Sequence, residues 1–234
     1  MKTQVLDHGY VQLVESWGSD ERIIEAARMS TQKGFNGWGT PEEPGDEKLL
    51  KYLYTNKHMT PFEMAGMTIE VQAPIFVFRE WHRHRTQSYN EMSARYAPLP
   101  DMNYIPSIER LMRHGGDHLQ KNRQAATDVG SDELTEHEAM RFQQRLANQY
   151  SDDQDLYAEA LHTGVPKELA RLILPVGRYS KMRASANLRN WIQFLVLRDD
   201  KNAQWEIQQY AKVVSDHLAQ LFPHTMALYL GGKK

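Results

Sequence analysis

The chain has 234 residues, of which 41% are hydrophobic and 25% charged, as is ordinary for a globular protein with a substantial core. Its formal net charge of −2 argues against a protein that coats nucleic acid non-specifically, because such a protein needs a surplus of positive surface. The lack of cysteine excludes disulfides, thiolate metal sites and a catalytic thiol. No apolar segment has the length of a signal core or a membrane span, so we expect a cytoplasmic protein without nucleic-acid or membrane partners.

Regular elements are predicted in succession along the first quarter of the chain. Residues 3–15 alternate weakly in polarity, which predicts an opening strand or hairpin. Ser19 can cap a helix that carries an apolar face and ends before Gly34. The glycines and prolines of residues 34–45 predict a surface loop, and the leucine spacing of residues 46–56 predicts a second helix.

A turn and a strand are predicted next. Pro61 biases Thr60 toward an extended conformation, so His58 and Thr60 are expected on a fixed turn where their side chains can serve a ligand. A plain helix-to-strand corner is the alternative interpretation of this turn. Apolar and polar residues alternate over residues 67–72, which predicts a strand with one buried face that ends at Pro74.

The second half of the chain is predicted to be mainly helical. Residues 98–106 predict a loop, and residues 107–133 a possible insertion with poor periodicity. A long helix follows from Asp132, with Phe142 and Leu156 among the residues expected to face inward. The later predicted elements are a strand from Tyr179, a helix capped by Asn187, and a packing helix over residues 203–221 that Pro223 ends.

No internal repeat, heptad seam or clear linker interrupts this succession of elements. We therefore predict an α+β fold with a central, mainly antiparallel sheet flanked by long helices. Residues 1–234 are expected to form a single compact domain.

One arginine stands inside an apolar run. Arg171 lies within residues 169–175, where a buried cation is costly unless it is paired. It is therefore either a member of a structural ion pair or a ligand arm that reaches a pocket.

The densest group of polar side chains lies at residues 79–96, directly after the apolar run 75–78. It holds four arginines, two histidines, two serines, an asparagine and two glutamates. Guanidinium forks beside hydroxyl and amide groups suit an anionic, heteroatom-rich ligand such as a nucleotide. His82 and His84 would share one face of an extended strand, but a third metal ligand is not apparent and arginines flank them, so no metal site is expected.

The order Arg83-His84-Arg85, seven residues and then Ser93 resembles the signature of the flavin-dependent thymidylate synthases, and every defined position of the long form of that motif is matched. The resemblance continues over most of the chain, in residues 58–63 and from residue 172 to residue 211. It implies a domain of this family over residues 1–234.

Members of that family convert dUMP to dTMP, with methylenetetrahydrofolate as carbon donor, NADPH as reductant and FAD as hydride carrier. They are homotetramers whose sites combine residues of several subunits. The resemblance implies FAD contacts from Thr60, Arg83, His84, Arg85, Glu91, Asn187, Leu188, Arg189 and Gln193, with His58 near the flavin and folate. It implies dUMP contacts from Glu80, Trp81, His82, Arg83, Glu91, Met92, Ser93, Ala94, Arg95, Arg171 and Arg198.

The missing cysteine bears on the mechanism that the resemblance implies. Carbon C5 of uracil is a poor nucleophile, and thiol-dependent thymidylate synthases activate it by adding a cysteine to C6. A fixed guanidinium beside N3 and the carbonyl oxygens can instead stabilise negative charge on the pyrimidine, and Arg198 is the catalytic candidate for that role. Ser93 has no evident neighbouring base, so we predict that it positions dUMP rather than attacking it.

Four positions depart from what the resemblance leads one to expect. Glu80 stands where Gln is common, Met64 where His is common, Gln193 where Asn is usual, and Asn202 where a flavin-contacting His often occurs. These departures bear on nucleotide affinity and on the fit of the folate. Two other functions stay open: a flavoenzyme of the same family that makes another 5-substituted pyrimidine nucleotide, and a non-catalytic nucleotide-binding or RNA-binding protein.

Overall fold

The computed structural model of the chain describes residues 2–40, 42–112 and 134–232. The strands are β1 Lys2–Val5, β2 Gly9–Trp17, β3 Gly66–Pro74, β4 Ser88–Glu91 and β5 Tyr179–Asn187. The helices are α1 Asp20–Arg28, α2 Glu47–Thr55, α3 Ile75–Trp81, α4 Ile108–Leu111, α5 Glu136–His162, α6 Lys167–Ala170, α7 Leu188–Arg198, α8 Trp205–Leu221 and α9 Pro223–Gly231. Short 3-10 helices cover Met29–Thr31, Thr60–Met64 and Arg171–Ile173.

The strands form one antiparallel sheet in the order β1-β2-β3-β5-β4, which confirms the predicted α+β fold with an antiparallel sheet. Central strand β3 differs from its prediction because both of its faces are buried. Met67 and Ile69 belong to the hydrophobic core. On the other face, Thr68 donates to the hydroxyl of Ser185 at 2.9 Å, and Gln72 donates to the carbonyl of His8 at 2.6 Å. Polar side chains can therefore be buried here because they are hydrogen-bonded.

Helix boundaries follow local signals closely. Ser19 caps α1 by accepting a hydrogen bond from the backbone N–H of Arg22, and Asn187 caps α7 in the same way. Pro223 ends α8 as predicted, but it also begins α9, which the sequence did not predict. The carboxylate of Asp20 satisfies the first free N–H groups of α9, those of His224 and Thr225.

Two residues that were predicted to face inward from helix α5 are exposed. Phe142 and Leu156 are 50% and 53% exposed, whereas Ala139 and Tyr157 are buried. The helix packs against α4, α6 and the 3-10 helix Arg171–Ile173 rather than against the sheet, so only a narrow stripe of its surface is covered within one chain. The part of the possible insertion at residues 113–133 lies outside the described residues.

The core lies between the sheet and helices α3, α7 and α8. Its largest members are Trp81 and Trp191, both 0% exposed. The indole N–H of Trp191 donates to the Met67 carbonyl at 3.0 Å, which fixes α7 against β3. No helix among the described residues is long and apolar enough to cross a membrane.

Candidate functional site

The polar stretch 79–96 is supported by helix α3, whose residues Val77, Phe78 and Trp81 are buried. It comprises the last turn of α3, a turn over residues 82–87, strand β4 and a second turn. Trp81 lies in the core and its indole N–H donates to Oε1 of Gln87 at 3.1 Å, which ties the turn to the helix. His82 and His84 do not share one face of an extended strand, because His82 caps the end of α3 and His84 lies in the turn.

Arg198, at the end of α7, is held by two residues of this stretch. Its Nε donates to Nε2 of His84 at 2.9 Å, its Nη1 to Oε2 of Glu80 at 2.8 Å, and its Nη2 to the Glu80 carbonyl at 3.0 Å. The side chain is 15% exposed. A guanidinium carries five N–H groups, so these three bonds leave two without a partner among the described residues. Arg198 is thus fixed in orientation and still able to donate.

The bond from Arg198 determines the protonation state of His84. Since Nε2 accepts a hydrogen bond, the ring is neutral and its proton is on Nδ1. Burial, and then the nearby charge of Arg198, lowers the pKa of His84 to about 4. The backbone carbonyl of His84 accepts from the Tyr89 hydroxyl at 2.8 Å, so the turn is fixed from both sides.

A second group of predicted residues surrounds the N-terminus of α7. Oδ1 of Asn187 accepts from the backbone N–H of Asn190 at 3.0 Å, and Nδ2 of Asn190 donates to the Thr86 carbonyl at 3.1 Å. These bonds bring the turn after α3 to the start of an 11-residue helix. The side chain of Leu188 is buried in the core, so only its backbone faces this surface.

The surface around this helix start is cationic. Arg83, Arg85 and Arg189 are all exposed. Arg189 forms an ion pair with Glu63, whereas the guanidinium groups of Arg83 and Arg85 have no partner within the described part of the chain. Free, exposed guanidinium groups beside a helix N-terminus favour a polyanionic ligand.

The turn predicted at His58 and Thr60 is present, but Thr60 begins a 3-10 helix rather than an extended segment. This 3-10 helix carries Glu63 and therefore connects the turn to Arg189. His58 is exposed and meets Tyr52 edge-on, with 5.6 Å between ring centroids. Gln193 is likewise exposed, one turn along α7.

A cavity of about 450 Å³ opens where β4 ends and β5 begins. It is lined by predicted nucleotide-binding residues, namely Glu91, Met92, Ser93, Ala94 and Arg171, and also by Arg79 and Ser180, which the sequence did not predict. Arg198 and Arg95 do not line it. We call the hydrogen-bonded group of Arg198, Glu80 and His84 the Arg198 network. Within one chain, the predicted nucleotide contacts are therefore divided between this cavity and the Arg198 network.

Two of the remaining predicted nucleotide contacts lie outside the cavity. Arg95 is exposed, with its Nε 3.4 Å from Oε2 of Glu168. The ring of His82 is half-buried, with Nε2 at 3.1 Å from the sulfur of Met182.

Arg171 was predicted to be either a member of a structural ion pair or a ligand arm, and its position bears on the first of these interpretations. Its side chain is exposed, and its Nε donates to the Glu168 carbonyl at 3.2 Å, so the buried ion pair is wrong. Among the arginines that the structure describes, Arg178 is the fully buried one, and it donates to Oδ1 of Asp101 at 2.8 Å and to Oε1 of Gln154 at 2.7 Å. No sequence pattern distinguished Arg178 from other arginines, because its partners lie far along the chain.

Ser180 is the buried one of the two polar residues of the cavity that the sequence did not predict. It is 1% exposed, and its hydroxyl has no hydrogen-bond partner among the described residues. Its neighbour in β5, Lys181, accepts a hydrogen bond through its carbonyl from the backbone N–H of Met92 at 2.8 Å. An unbonded buried hydroxyl is unfavourable, so Ser180 is suited to a ligand in the cavity. The strand pattern indicated only that it faces opposite to Lys181.

Comparison with known proteins identifies the family. The model of the family described as thymidylate synthase complementing protein matches residues 12–224. The chain belongs to this family. A flavin-dependent thymidylate synthase of Thermosipho africanus is 38% identical over 98% of this chain and 94% of the relative, and one of Thermus thermophilus is 36% identical over 96% and 77%.

Solved structures with the same fold come from a nucleotide-modifying enzyme. The UMP/dUMP methylase PolB of Streptomyces cacaoi, bound with 5-Br dUMP, gives a TM-score of 0.80 at 31% identity. The alignment covers 98% of this chain and 97% of that one. With 5-Br UMP bound, PolB gives a TM-score of 0.78. Membership of the thymidylate synthase complementing family thus rests on sequence and fold alike.

Proposed function

We propose that this protein converts dUMP to dTMP as a flavin-dependent thymidylate synthase, with methylenetetrahydrofolate as carbon donor and NADPH as reductant. The observation that carries this proposal is the orientation of Arg198 in a chain that has no thiol. Family membership and the names of the relatives support the same reaction.

Arg198 is the proposed catalytic residue. Methylation at C5 requires electron density at that carbon, which accumulates when negative charge on the pyrimidine is stabilised. The guanidinium is already fixed by His84 and Glu80, so its two free N–H groups can bind N3 and a carbonyl oxygen without reorganising. No residue of this network acts as a covalent nucleophile.

The cavity beside β4 is the proposed site for the rest of the nucleotide. Arg79 and Arg171 supply positive charge for the phosphate, and Ser93 and Ser180 supply hydroxyl groups. The hydroxyl of Ser93 accepts from the backbone N–H of Arg95 at 3.3 Å, and no histidine or carboxylate lies in hydrogen-bonding contact with it among the described residues. This supports a positioning role for Ser93.

Other predicted nucleotide contacts stay proposals that rest on the family. Glu91, Met92 and Ala94 line the cavity, whereas His82 and Arg95 lie outside it. Trp81 can contribute through its backbone alone, since its side chain is buried in the core.

The cationic surface at the start of α7 fits the diphosphate of FAD. Arg83, Arg85 and Arg189 are exposed beside a helix N-terminus, a donor set that suits two linked phosphates. His84, Thr60, His58, Glu91 and Gln193 complete the proposed cofactor contacts, with the backbone at Asn187 and Leu188. When bound, the flavin supplies the hydride chemistry that no side chain can perform. The protein's own residues bind and orient it.

We also propose that the protein is a homotetramer whose sites are shared between subunits. The cavity and the Arg198 network are separate in one chain, although a nucleotide contacts both under the proposed mechanism. Apolar side chains next to the cavity are uncovered, with Tyr96 and Leu172 each 79% exposed. Association that covers these residues would also unite the two halves of the site.

An anaerobic assay tests the proposed reaction. Purified protein is supplied with FAD, NADPH, methylenetetrahydrofolate and dUMP, and dTMP is measured by chromatography. Parallel reactions with UMP, and mass analysis of every nucleotide product, detect a different 5-substituted product. The proposal is wrong if no dTMP forms while the flavin is bound and reducible. A colourless protein that retains no FAD would instead favour a non-catalytic nucleotide-binding function.

A further inference from the structure

Glu80 contacts Arg198 through two separate acceptors. Its carboxylate Oε2 lies 2.8 Å from Nη1 and its backbone carbonyl 3.0 Å from Nη2. The side chain of Glu80 is 42% exposed and that of Arg198 is 15% exposed, so the pair lies at the edge of the protein. Because the side chain and the backbone of Glu80 each accept a hydrogen bond, the guanidinium plane can neither shift nor rotate freely.

A carboxylate at this position needs a reason, because the proposed substrate is an anion. Glu80 offsets the charge of Arg198 and repels a nucleotide phosphate, so it would weaken binding if its charge were its only contribution. Arg198 donates its third hydrogen bond to neutral His84, which cannot restrain the guanidinium alone. The geometry therefore favours an orienting role for Glu80 over a direct role in nucleotide binding.

We infer that Glu80 is a positioning residue, which holds Arg198 in its reactive orientation by accepting a hydrogen bond from Nη1. This inference rests on the proposed function, since Arg198 must contact the pyrimidine for its orientation to matter. The positioning role requires that residue 80 has an acceptor oxygen, but it does not require a negative charge. Glutamine keeps an acceptor oxygen at the same distance from the backbone, whereas alanine removes it.

The experiment compares Glu80→Gln and Glu80→Ala in the holoenzyme. Glu80→Ala is expected to lower kcat about 100-fold, the effect of a misplaced catalytic group, with a small change in the Kd for dUMP. Glu80→Gln is expected to keep kcat within about fivefold of the wild type, because a partly exposed charge pair contributes little. Glu25→Ala is the matched control, since it removes a carboxylate from the exposed pair with Arg22 outside the site.

A second readout follows the arginine itself. In ¹⁵N-labelled protein without substrate, the Nη1–H resonance of Arg198, which donates to the Glu80 carboxylate, should be protected from exchange in the wild type and in Glu80→Gln, and lost in Glu80→Ala. Thermal unfolding and retention of FAD should be unchanged in all three proteins. A merely structural role for Glu80 would instead lower the melting temperature along with activity.

Two outcomes would overturn the inference. One is a Glu80→Ala enzyme with wild-type kcat and a protected Arg198 resonance, and the other is a Glu80→Gln enzyme as impaired as Glu80→Ala. If the wild-type protein made no dTMP, the proposed function would fail. The resonance in the resting proteins would still show whether Glu80 holds Arg198.

Discussion

Two arginine-containing regions of the molecule differ in how far the protein satisfies their donors. Arg198 makes three hydrogen bonds to Glu80 and His84 and is mostly covered. At the cavity, Arg171 makes one bond to a backbone carbonyl, its side chain is exposed, and the hydroxyl of Ser180 below has no partner among the described residues. The first region orients a charge before a ligand arrives, whereas the second leaves its donors for the ligand to use.

This contrast predicts that substitutions in the two regions affect different kinetic constants. Loss of a group fixed before binding should lower kcat, and loss of a group that awaits the ligand should raise KM. The following predictions run from the largest expected effect to the smallest.

Arg198→Ala should lower kcat on the order of 100-fold to 1000-fold, because one preorganised donor to developing charge is lost. FAD should stay bound, since the cationic surface at the start of α7 is untouched. Turnover of dUMP and flavin absorbance measure the two effects. Unchanged turnover would refute the catalytic role of Arg198. It would also remove the proposed difference between a preoriented Arg198 and cavity donors that await the ligand.

Arg171→Ala should raise the KM for dUMP about tenfold or more, the effect of losing a charge-assisted bond to an anion, with a smaller change in kcat. Arg141→Ala is a suitable control, because Arg141 is an exposed arginine of α5 that does not line the cavity. Equal effects of both substitutions would indicate general charge attraction rather than a specific contact.

Ser180→Ala should raise the KM for dUMP about fivefold, the effect of losing one hydrogen bond. It should leave the free protein as stable as before or slightly more so, since an unbonded buried hydroxyl disappears. Ser185→Ala is the control in the same strand, because that hydroxyl accepts from Thr68 at 2.9 Å and its loss should reduce stability. Steady-state kinetics and thermal unfolding separate the two variants. A Ser180→Ala enzyme with unchanged KM would argue against a ligand contact.

The smallest expected effect is a dependence of stability on pH. Burial and the charge of Arg198 depress the pKa of folded His84 to about 4, below its ordinary value of 6.5. The unfolded chain therefore binds more protons at this residue, so its contribution to stability is complete above pH 6.5 and is lost as the pH falls toward 4. The melting temperature should fall across this window, and less steeply in His84→Gln. Identical slopes in the two proteins would show that His84 is not the group responsible.

Much of the fold could be predicted from local signals. The alternation in β3 and β5 and the caps Ser19 and Asn187 act over a few residues, and each predicted element is present. Burial of Arg178, the exposure of Phe142 and the start of α9 were missed. They depend on which distant surfaces meet, and periodicity in one segment carries no information about that.

The candidate site was predictable in composition but not in arrangement. The signature from Arg83 to Ser93 singled out a stretch whose turn approaches α7 in the structure. Arg198 and Glu80 are 118 positions apart, and nothing in either segment indicated that they pair. The division of the predicted residues between the cavity and the Arg198 network likewise follows from tertiary structure alone.

The buried guanidinium of Arg178 constrains how this sequence can change over generations. It is 0% exposed and is compensated by Asp101 in the loop beside the cavity and by Gln154 in the long helix α5. Replacing Asp101 first would leave the buried guanidinium with neutral acceptors alone, and replacing Arg178 first would leave Asp101 and Gln154 without their donor. The three positions should therefore be inherited as a set, exchanged together for apolar residues or retained together, even though none of them lines the cavity.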